Sequence, residues 1–284
     1  MKKSYIIGDP ISHSISPLLH NNVYKYFGLE NEYIYSALQI ENENFNTDFL
    51  NLINSEDLRS ISVTAPHKDK IIQFFKNSSL NFDYGDEVCK NLNSVNTIVF
   101  DDNKYTLYNT DVYGIQKSIK PFDTEFSVLI LGNGSTAKSV IYALKDFNTN
   151  RIDMVRRSES KDADFVEIND FYKFEDLQNI LNNYSLVIST LPRNVARNVA
   201  ENVAENVAEI EFIPDLFDVN YSLDSKILAD YWRDFNGNSI DGLDMLYYQG
   251  ISQIVKYTDL TLEQLQSNEV KNSVFISKLK NNNV

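Results

Sequence analysis

The chain has 284 residues, 43% of them hydrophobic and 23% charged, with a formal net charge of −14. At that length roughly 75% of the unfolded surface is buried on folding, so no disulfide or metal staple is needed, and one large or two ordinary domains are expected. The acidic balance argues against a nucleic-acid partner, which requires a basic face, and the single cysteine, Cys89, excludes an intrachain disulfide and suits a reducing cytoplasm. No stretch approaches the ~20 apolar residues of a membrane span, and residues 1–8 are too briefly apolar for a signal peptide. The expectation is a cytoplasmic protein without a membrane partner.

Residues 3–8 read as a strand, and Ser16-Pro17 then open a helix. Ser16 suits the N-cap, Pro17 the first helical position and Gly28 the residue past the end. Leu19, Val23, Tyr26 and Phe27 recur between them at helical spacing. Ser14 has no capping role in this reading. Tyr33-Ile34-Tyr35 and residues 60–63 read as further strands, and residues 95–100 and 105–108 as a hairpin with a polar turn. A new unit begins near residue 112. Its first strand, residues 126–131, leads through a glycine turn into an apolar helix over 137–144. Residues 152–155 and 186–189 continue the alternation that marks a parallel, doubly wound sheet. Asn194-Val195-Ala196-Arg197 is echoed at 198–201, 202–205 and 206–209. A period of four is close to the helical repeat, so this segment reads as a crossover helix with valines against the sheet and Asn/Glu outward. After Met245 the pattern is helical again.

Two polar segments stand out. Ser62-Val63-Thr64-Ala65-Pro66-His67-Lys68 and Tyr108-Asn109-Thr110-Asp111 each follow or end an apolar run, which places them at strand carboxyl ends. Ligands of open α/β sheets bind at that edge. Lys68 and Asp111 are therefore candidates for an acid–base pair. Oxidising a secondary alcohol needs a proton acceptor within hydrogen-bond reach of its oxygen, a contribution of typically ~10²–10⁴-fold. Ser14 and Ser16 lie beside the free N–H groups of a helix start and offer neutral donors to a carboxylate. Gly132-Asn133-Gly134-Ser135-Thr136-Ala137 is a G-x-G-x-x-A turn between strand and helix. Its first glycine allows the tight turn, its second lets a pyrophosphate approach the backbone, and Ala137 permits close helix packing. An NAD site should carry Asp or Glu at the end of the next strand. Here Arg156-Arg157-Ser158 stands there, with Lys161 close behind, a set suited to a 2′-phosphate and hence to NADP. His13, His20 and His67 match no common metal-ligand spacing, so no metal is expected.

With Gly8-Asp9-Pro10-Ile11-Ser12-His13-Ser14-Ile15-Ser16-Pro17 at the start, the five motifs stand in the order found in shikimate dehydrogenases, and the chain resembles that family from Ile6 to Gln249. The resemblance implies a two-domain α/β fold with its active site in the cleft between domains. An N-terminal substrate domain would comprise residues 1–111 plus 245–284, and a Rossmann-type NADP domain residues 112–244. It further implies that Ser14 and Ser16 hold the substrate carboxylate, that Lys68 transfers the proton and that Asp111 is its partner. Thr64, Asn96 and Gln249 would complete the substrate shell, and Tyr221 would lie near substrate and nicotinamide. Gly132, Asn133, Gly134, Ser135, Thr136, Ala137, Arg156, Arg157, Ser158 and Gly242 would hold the cofactor.

The implied activity is NADP-dependent reversible reduction of 3-dehydroshikimate to shikimate, a step toward chorismate and the aromatic amino acids, by a monomer or homodimer. Ser62 stands where the family usually has an asparagine, which removes an amide from the substrate side. Ser189-Thr190-Leu191-Pro192 replaces an Asn-Ala-Thr loop, and Val112 a frequent glycine. A quinate/shikimate paralogue with relaxed substrate or NAD use is the nearest alternative. A non-catalytic ligand sensor is a second, opposed by the intact Lys68–Asp111 pair. A scaffold built on the repeated helix is a third and predicts no cofactor binding.

Overall fold

Strand pairing sorts the described residues into two six-stranded sheets. The computed structural model describes residues 1–101, 104–120, 122–206, 212–221 and 226–276. It divides into two compact units, Met1–Gly114 with Leu246–Val284, and Ile115–Met245.

The first unit runs β1 (Lys2–Gly8), α1 (Ser16–Tyr26), β2 (Tyr33–Gln39), α2 (Phe45–Ile53), β3 (Leu58–Val63), α3 (Lys68–Asn77), β4 (Phe82–Tyr84), α4 (Glu87–Leu92), β5 (Thr97–Asp101) and β6 (Lys104–Tyr108). The sheet order is β2-β1-β3-β5-β6-β4. β1 is parallel to β2 and β3, whereas β5 is antiparallel to both β3 and β6. The carboxyl ends of β1, β3 and β6 therefore share one sheet edge with the amino end of β5. The hairpin expected from the sequence is present, although positions 102 and 103 of its turn lie outside the described residues.

Successive side chains of a strand face opposite ways, and β3 shows what each face is for. Ile61 and Val63 join Ile7, Ile98 and Leu107 in an apolar core closed by Phe45 and Phe49 of α2 and Ile71, Ile72 and Phe75 of α3. Ser60 and Ser62 take the other face, where Ser60 Oγ donates to Ser4 Oγ at 2.8 Å. That side holds a buried polar cluster. His20 Nδ1 and the Tyr24 hydroxyl meet the Tyr257 hydroxyl at 2.8 and 2.7 Å, and the His20 ring stacks on Tyr35 at 3.9 Å. Burial pushes His20 down to about 3, opposed by the neighbouring Gln253 side chain.

One local expectation is corrected at α1. The helix begins at Ser16 itself, with Ile15 in the capping position and no side-chain cap. Ser14 Oγ instead accepts from the Ser16 N–H at 3.3 Å. The hydroxyl two residues upstream reaches the first helical amide, which leaves Ser16 rather than Ser14 without a capping task. Gly28 takes the expected place past the helix end with φ +70, a left-handed conformation that favours glycine.

The second unit follows α5 (Asp111–Ser118), which begins in the first. It runs β7 (Phe126–Leu131), α6 (Ser135–Leu144), β8 (Thr149–Val155), β9 (Phe171–Tyr172), α7 (Leu177–Ile180), β10 (Leu186–Ser189), α8 (Arg193–Asn206), β11 (Asp215–Asp218), α9 (Leu228–Asp234) and β12 (Ser239–Ile240). Helix α10 (Leu243–Ile254) then leads back into the first unit. All pairings are parallel, in the order β12-β11-β10-β7-β8-β9. Counted within this sheet, that is the 3-2-1-4-5-6 order of dinucleotide-binding folds, with its switch point between β7 and β10. The expected two-domain α/β architecture is thus observed.

The four-residue repeat forms α8, and its apolar residues behave as expected. Ala196, Val199, Ala200 and Val203 pack against Leu131, Val155, Val187 and Leu216 of the sheet. The last echo, from residue 207, lies outside the described residues. Trp232 of α9 closes the same core and donates its indole N–H to the Pro214 carbonyl at 2.7 Å.

Candidate active site

Lys68 opens α3 and Asp111 opens α5, each a few residues past a strand that ends at the shared edge of the first sheet. Lys68 Nζ lies 2.5 Å from Asp111 Oδ2, with side chains only 11% and 6% exposed. Removing one partner of so buried a pair costs about 3–5 kcal/mol, because the other charge is stranded. The second carboxylate oxygen, Oδ1, accepts from Asn96 Nδ2 at 2.8 Å. Asn96 also donates to Thr110 Oγ1 at 2.9 Å and accepts the Thr110 N–H at 2.9 Å. The Asp111 N–H donates to Asn109 Oδ1 at 3.1 Å, and the Asn109 N–H donates to Asp86 Oδ2 at 3.2 Å. Burial raises the Asp86 carboxyl, opposed by the N–H groups of Cys89 and Asn109.

Lys68 carries three N–H donors, and a carboxylate has about four lone-pair sites. The pair can therefore bind each other and still hold a substrate hydroxyl. Ser14 and Ser16 follow β1, and Thr64 follows β3, at the same edge. The Asp9 N–H donates to the Ala65 carbonyl at 3.2 Å. A Cβ on Gly8 would lie 2.5 Å from the Thr64 methyl, so glycine is what lets these two loops approach. Gln249 of α10 is nearly buried and donates to the Leu246 carbonyl at 3.0 Å. It lies one turn before Gln253 on the same helix face. Gln253 was not singled out in the sequence, yet its amide reaches Ser62 and Thr97. The Ser62 hydroxyl thus finds its partner in an amide of α10.

The cofactor residues lie in the second unit. Gly132 has φ +99, and a Cβ there would sit 2.9 Å from Thr190 Oγ1 on the neighbouring strand's loop. Its N–H donates to the Val155 carbonyl at 2.8 Å. Gly134 caps α6, and a Cβ there would touch nothing within 4 Å, so the space over the helix start is open. Ser135 and Thr136 form the first turn of α6, and Ala137 is fully buried. Asn133 Nδ2 donates to the Ser158 carbonyl at 2.9 Å and ties this turn to the loop after β8. An open helix start beside an exposed cation fits a dinucleotide phosphate.

Arg156 is not that cation. Its Nε donates to both Asp162 oxygens at 2.9 and 3.1 Å, and its Nη2 to Asp162 Oδ2 at 2.7 Å. Arg157 is exposed, and Ser158 Oγ lies 2.9 Å from Ser160 Oγ. Gly242 is explained by packing, since a Cβ would come within 2.1 Å of the Val219 carbonyl oxygen. The Tyr221 carbonyl accepts from Arg193, whose guanidinium lies 5.8 Å from the Tyr221 ring centroid. At the end of β11, burial raises Asp218 to about 6, against hydrogen bonds from Asn220, Ala229 and Leu228.

His20 and His67 are buried and His13 is exposed. Among the described residues no group of three His, Cys, Asp or Glu could hold a metal ion. Likewise, no helix there is long and apolar enough to cross a membrane.

Residues 6–98 match the model of the shikimate dehydrogenase substrate binding domain. The shikimate dehydrogenase (NADP(+)) of Staphylococcus aureus strain bovine RF122 / ET3-1 is 31% identical over 263 residues, covering 90% of this chain and 92% of the relative. Shikimate dehydrogenase 1 of Peptoclostridium difficile, 21% identical, aligns over the whole of both chains with a TM-score of 0.78. The Aquifex aeolicus shikimate dehydrogenase, 24% identical, gives 0.77 over 97% of this chain and 98% of that one.

Proposed function

The chain belongs to the shikimate dehydrogenase family, and from that premise we propose that it interconverts 3-dehydroshikimate and shikimate with NADP(H). It is an oxidoreductase acting on a secondary alcohol. The observation that carries the reading is the buried 2.5 Å contact of Lys68 with Asp111 at a ligand-binding sheet edge.

In the reducing direction, bound NADPH supplies the hydride taken up by the ketone carbon. Lys68 delivers a proton to the ketone oxygen as it becomes a hydroxyl. Asp111 holds the Lys68 ammonium on one side and a ring hydroxyl on the other, while Asn96 fixes the carboxylate. Ser14 and Ser16 donate to the substrate carboxylate, and neutral donors suit that task in a protein of net charge −14. Thr64 and Gln249 serve the remaining hydroxyls, and Tyr221 the nicotinamide side. Gly132, Gly134 and the first turn of α6 take the pyrophosphate, and Arg157 with Ser158 the 2′-phosphate. Residues 1–111 with 245–284 would be the substrate domain and 112–244 the cofactor domain. The reading extends to a cytoplasmic monomer or homodimer working toward the aromatic amino acids.

The test is NADPH formation followed by absorbance with shikimate, run beside NAD and quinate. Turnover of shikimate with NADP is expected, and Lys68→Ala should lower it by about 10²–10⁴-fold in folded protein. Preference for quinate or NAD would replace the specificity but keep the chemistry. Absence of turnover with every pair would overturn the reading in favour of a ligand sensor.

A further inference from the structure

Ser62 and Thr97 are cross-strand partners in the β3–β5 pairing. Both face α10, and Gln253 of that helix lies across them. Ser62 Oγ donates to Gln253 Oε1 at 3.0 Å, and Gln253 Nε2 donates to Thr97 Oγ1 at 3.0 Å. Thr97 Oγ1 in turn donates to Asn96 Oδ1 at 2.8 Å, and Asn96 Nδ2 to Asp111 Oδ1 at 2.8 Å. Main-chain groups fix both amides. The Thr110 N–H faces Asn96 Oδ1 at 2.9 Å, and the Asn96 carbonyl faces Gln253 Nε2 at 3.4 Å. All bonds in the chain consequently point one way, and the last ends on the carboxylate oxygen opposite Lys68.

These groups are all but inaccessible: Ser62, Asn96 and Gln253 are 2% exposed and Thr97 not at all. Packing alone does not call for polar residues here, since a buried polar group gains only when it is satisfied. We infer that Gln253, set by Ser62 and acting through Thr97, is a positioning residue that holds the Asn96 amide against Asp111 and so keeps Asp111 aligned for Lys68. The inference rests on the roles given to Lys68 and Asp111 above. Thr97 couples the two amides. By accepting from Gln253 it keeps its own proton for Asn96. Without Gln253 the hydroxyl is free to turn away, and Asn96 Oδ1 loses a donor.

The experiment is a double-mutant cycle with two readouts on the full-length protein. One is solvent exchange of the Asn96 side-chain amide protons by NMR, which does not depend on turnover. The other is kcat/KM for shikimate beside KM for NADP. Gln253→Met should speed Asn96 amide exchange about tenfold and lower kcat/KM for shikimate about tenfold, with KM for NADP within about twofold. Thr97→Val should do the same, and the double variant should be no worse than Thr97→Val alone. Unchanged Asn96 exchange in Gln253→Met, or losses that multiply in the double variant, would overturn the inference. Should Gln253→Met fail to fold, Ser62→Ala replaces it, with a smaller effect of the same sign that vanishes beside Thr97→Val. A wild-type protein that does not turn over shikimate would overturn the reaction while Asn96 exchange still decided the positioning.

Discussion

Arg156 and Arg157 are neighbours with unlike surroundings. The guanidinium of Arg156 is committed to Asp162 and lies over the Phe171 ring at 5.1 Å. Its charge is already balanced, so it braces the loop more than it attracts an anion. Arg157 is exposed beside Ser158. Charge-assisted hydrogen bonds contribute about 1.5–3 kcal/mol each, so Arg157→Ala should cut the ratio of kcat/KM with NADP to that with NAD by roughly ten- to hundredfold. Arg156→Ala should weaken both cofactors alike and leave that ratio within a factor of about three. Steady-state kinetics with the two cofactors decide between them, and a ratio that collapses in Arg156→Ala instead would reverse the assignment. The two adjacent cations are visible in the sequence. The partner that neutralises one of them, Asp162, is not, because only the fold of the loop brings it back.

Helix α8 separates what packing requires from what the surface tolerates. Val199 is buried against the sheet, and truncating it removes two methyl groups and leaves a void. Val199→Ala should cost about 2 kcal/mol in urea unfolding of the second unit. On the outer face, Arg197 pairs with Glu201 one turn on at 3.0 Å, both well exposed. Arg197→Ala should change stability by no more than about 0.5 kcal/mol. That contrast is legible in the repeat, because a period of four near the helical 3.6 sorts the apolar positions to one side. β1, β7 and the hairpin are legible for the same kind of reason. β4, β9 and β12 are not, since two or three residues are too few for an alternation to declare itself. Nor is the Gln253–Thr97 contact, which joins residues 156 positions apart. The motif residues of the site could be found by their strand-end setting, whereas the amide that braces them is one of several polar residues on a helix until the sheet is assembled.

His20 in the first unit and Asp218 in the second contribute to stability in opposite senses as pH falls. In the first, His20 is held neutral down to about pH 3, while in the unfolded chain it takes a proton near 6.5. Stability is therefore lost as pH falls below 6.5, by about 2 kcal/mol at pH 5. In the second, Asp218 takes its proton near 6 when folded and near 3.8 when unfolded. Stability is gained as pH falls through 6, by about 1 kcal/mol at pH 5. Between pH 7 and 5, hydrogen exchange should thus show the His20 contribution lowering protection in the first unit and the Asp218 contribution raising it in the second. His20→Gln should flatten the first trend and Asp218→Asn the second. Comparing each variant with its parent separates these groups from His67, Asp86 and Asp241, and a parallel slope in variant and parent would refute the attribution. The chain has one tryptophan, Trp232, sealed in the core of the second unit. Indole emission therefore reports from that half alone. It follows the half's melting without a label and, because reduced nicotinamide absorbs where indole emits, should dim as NADPH binds. The substrate half stays dark in the same trace.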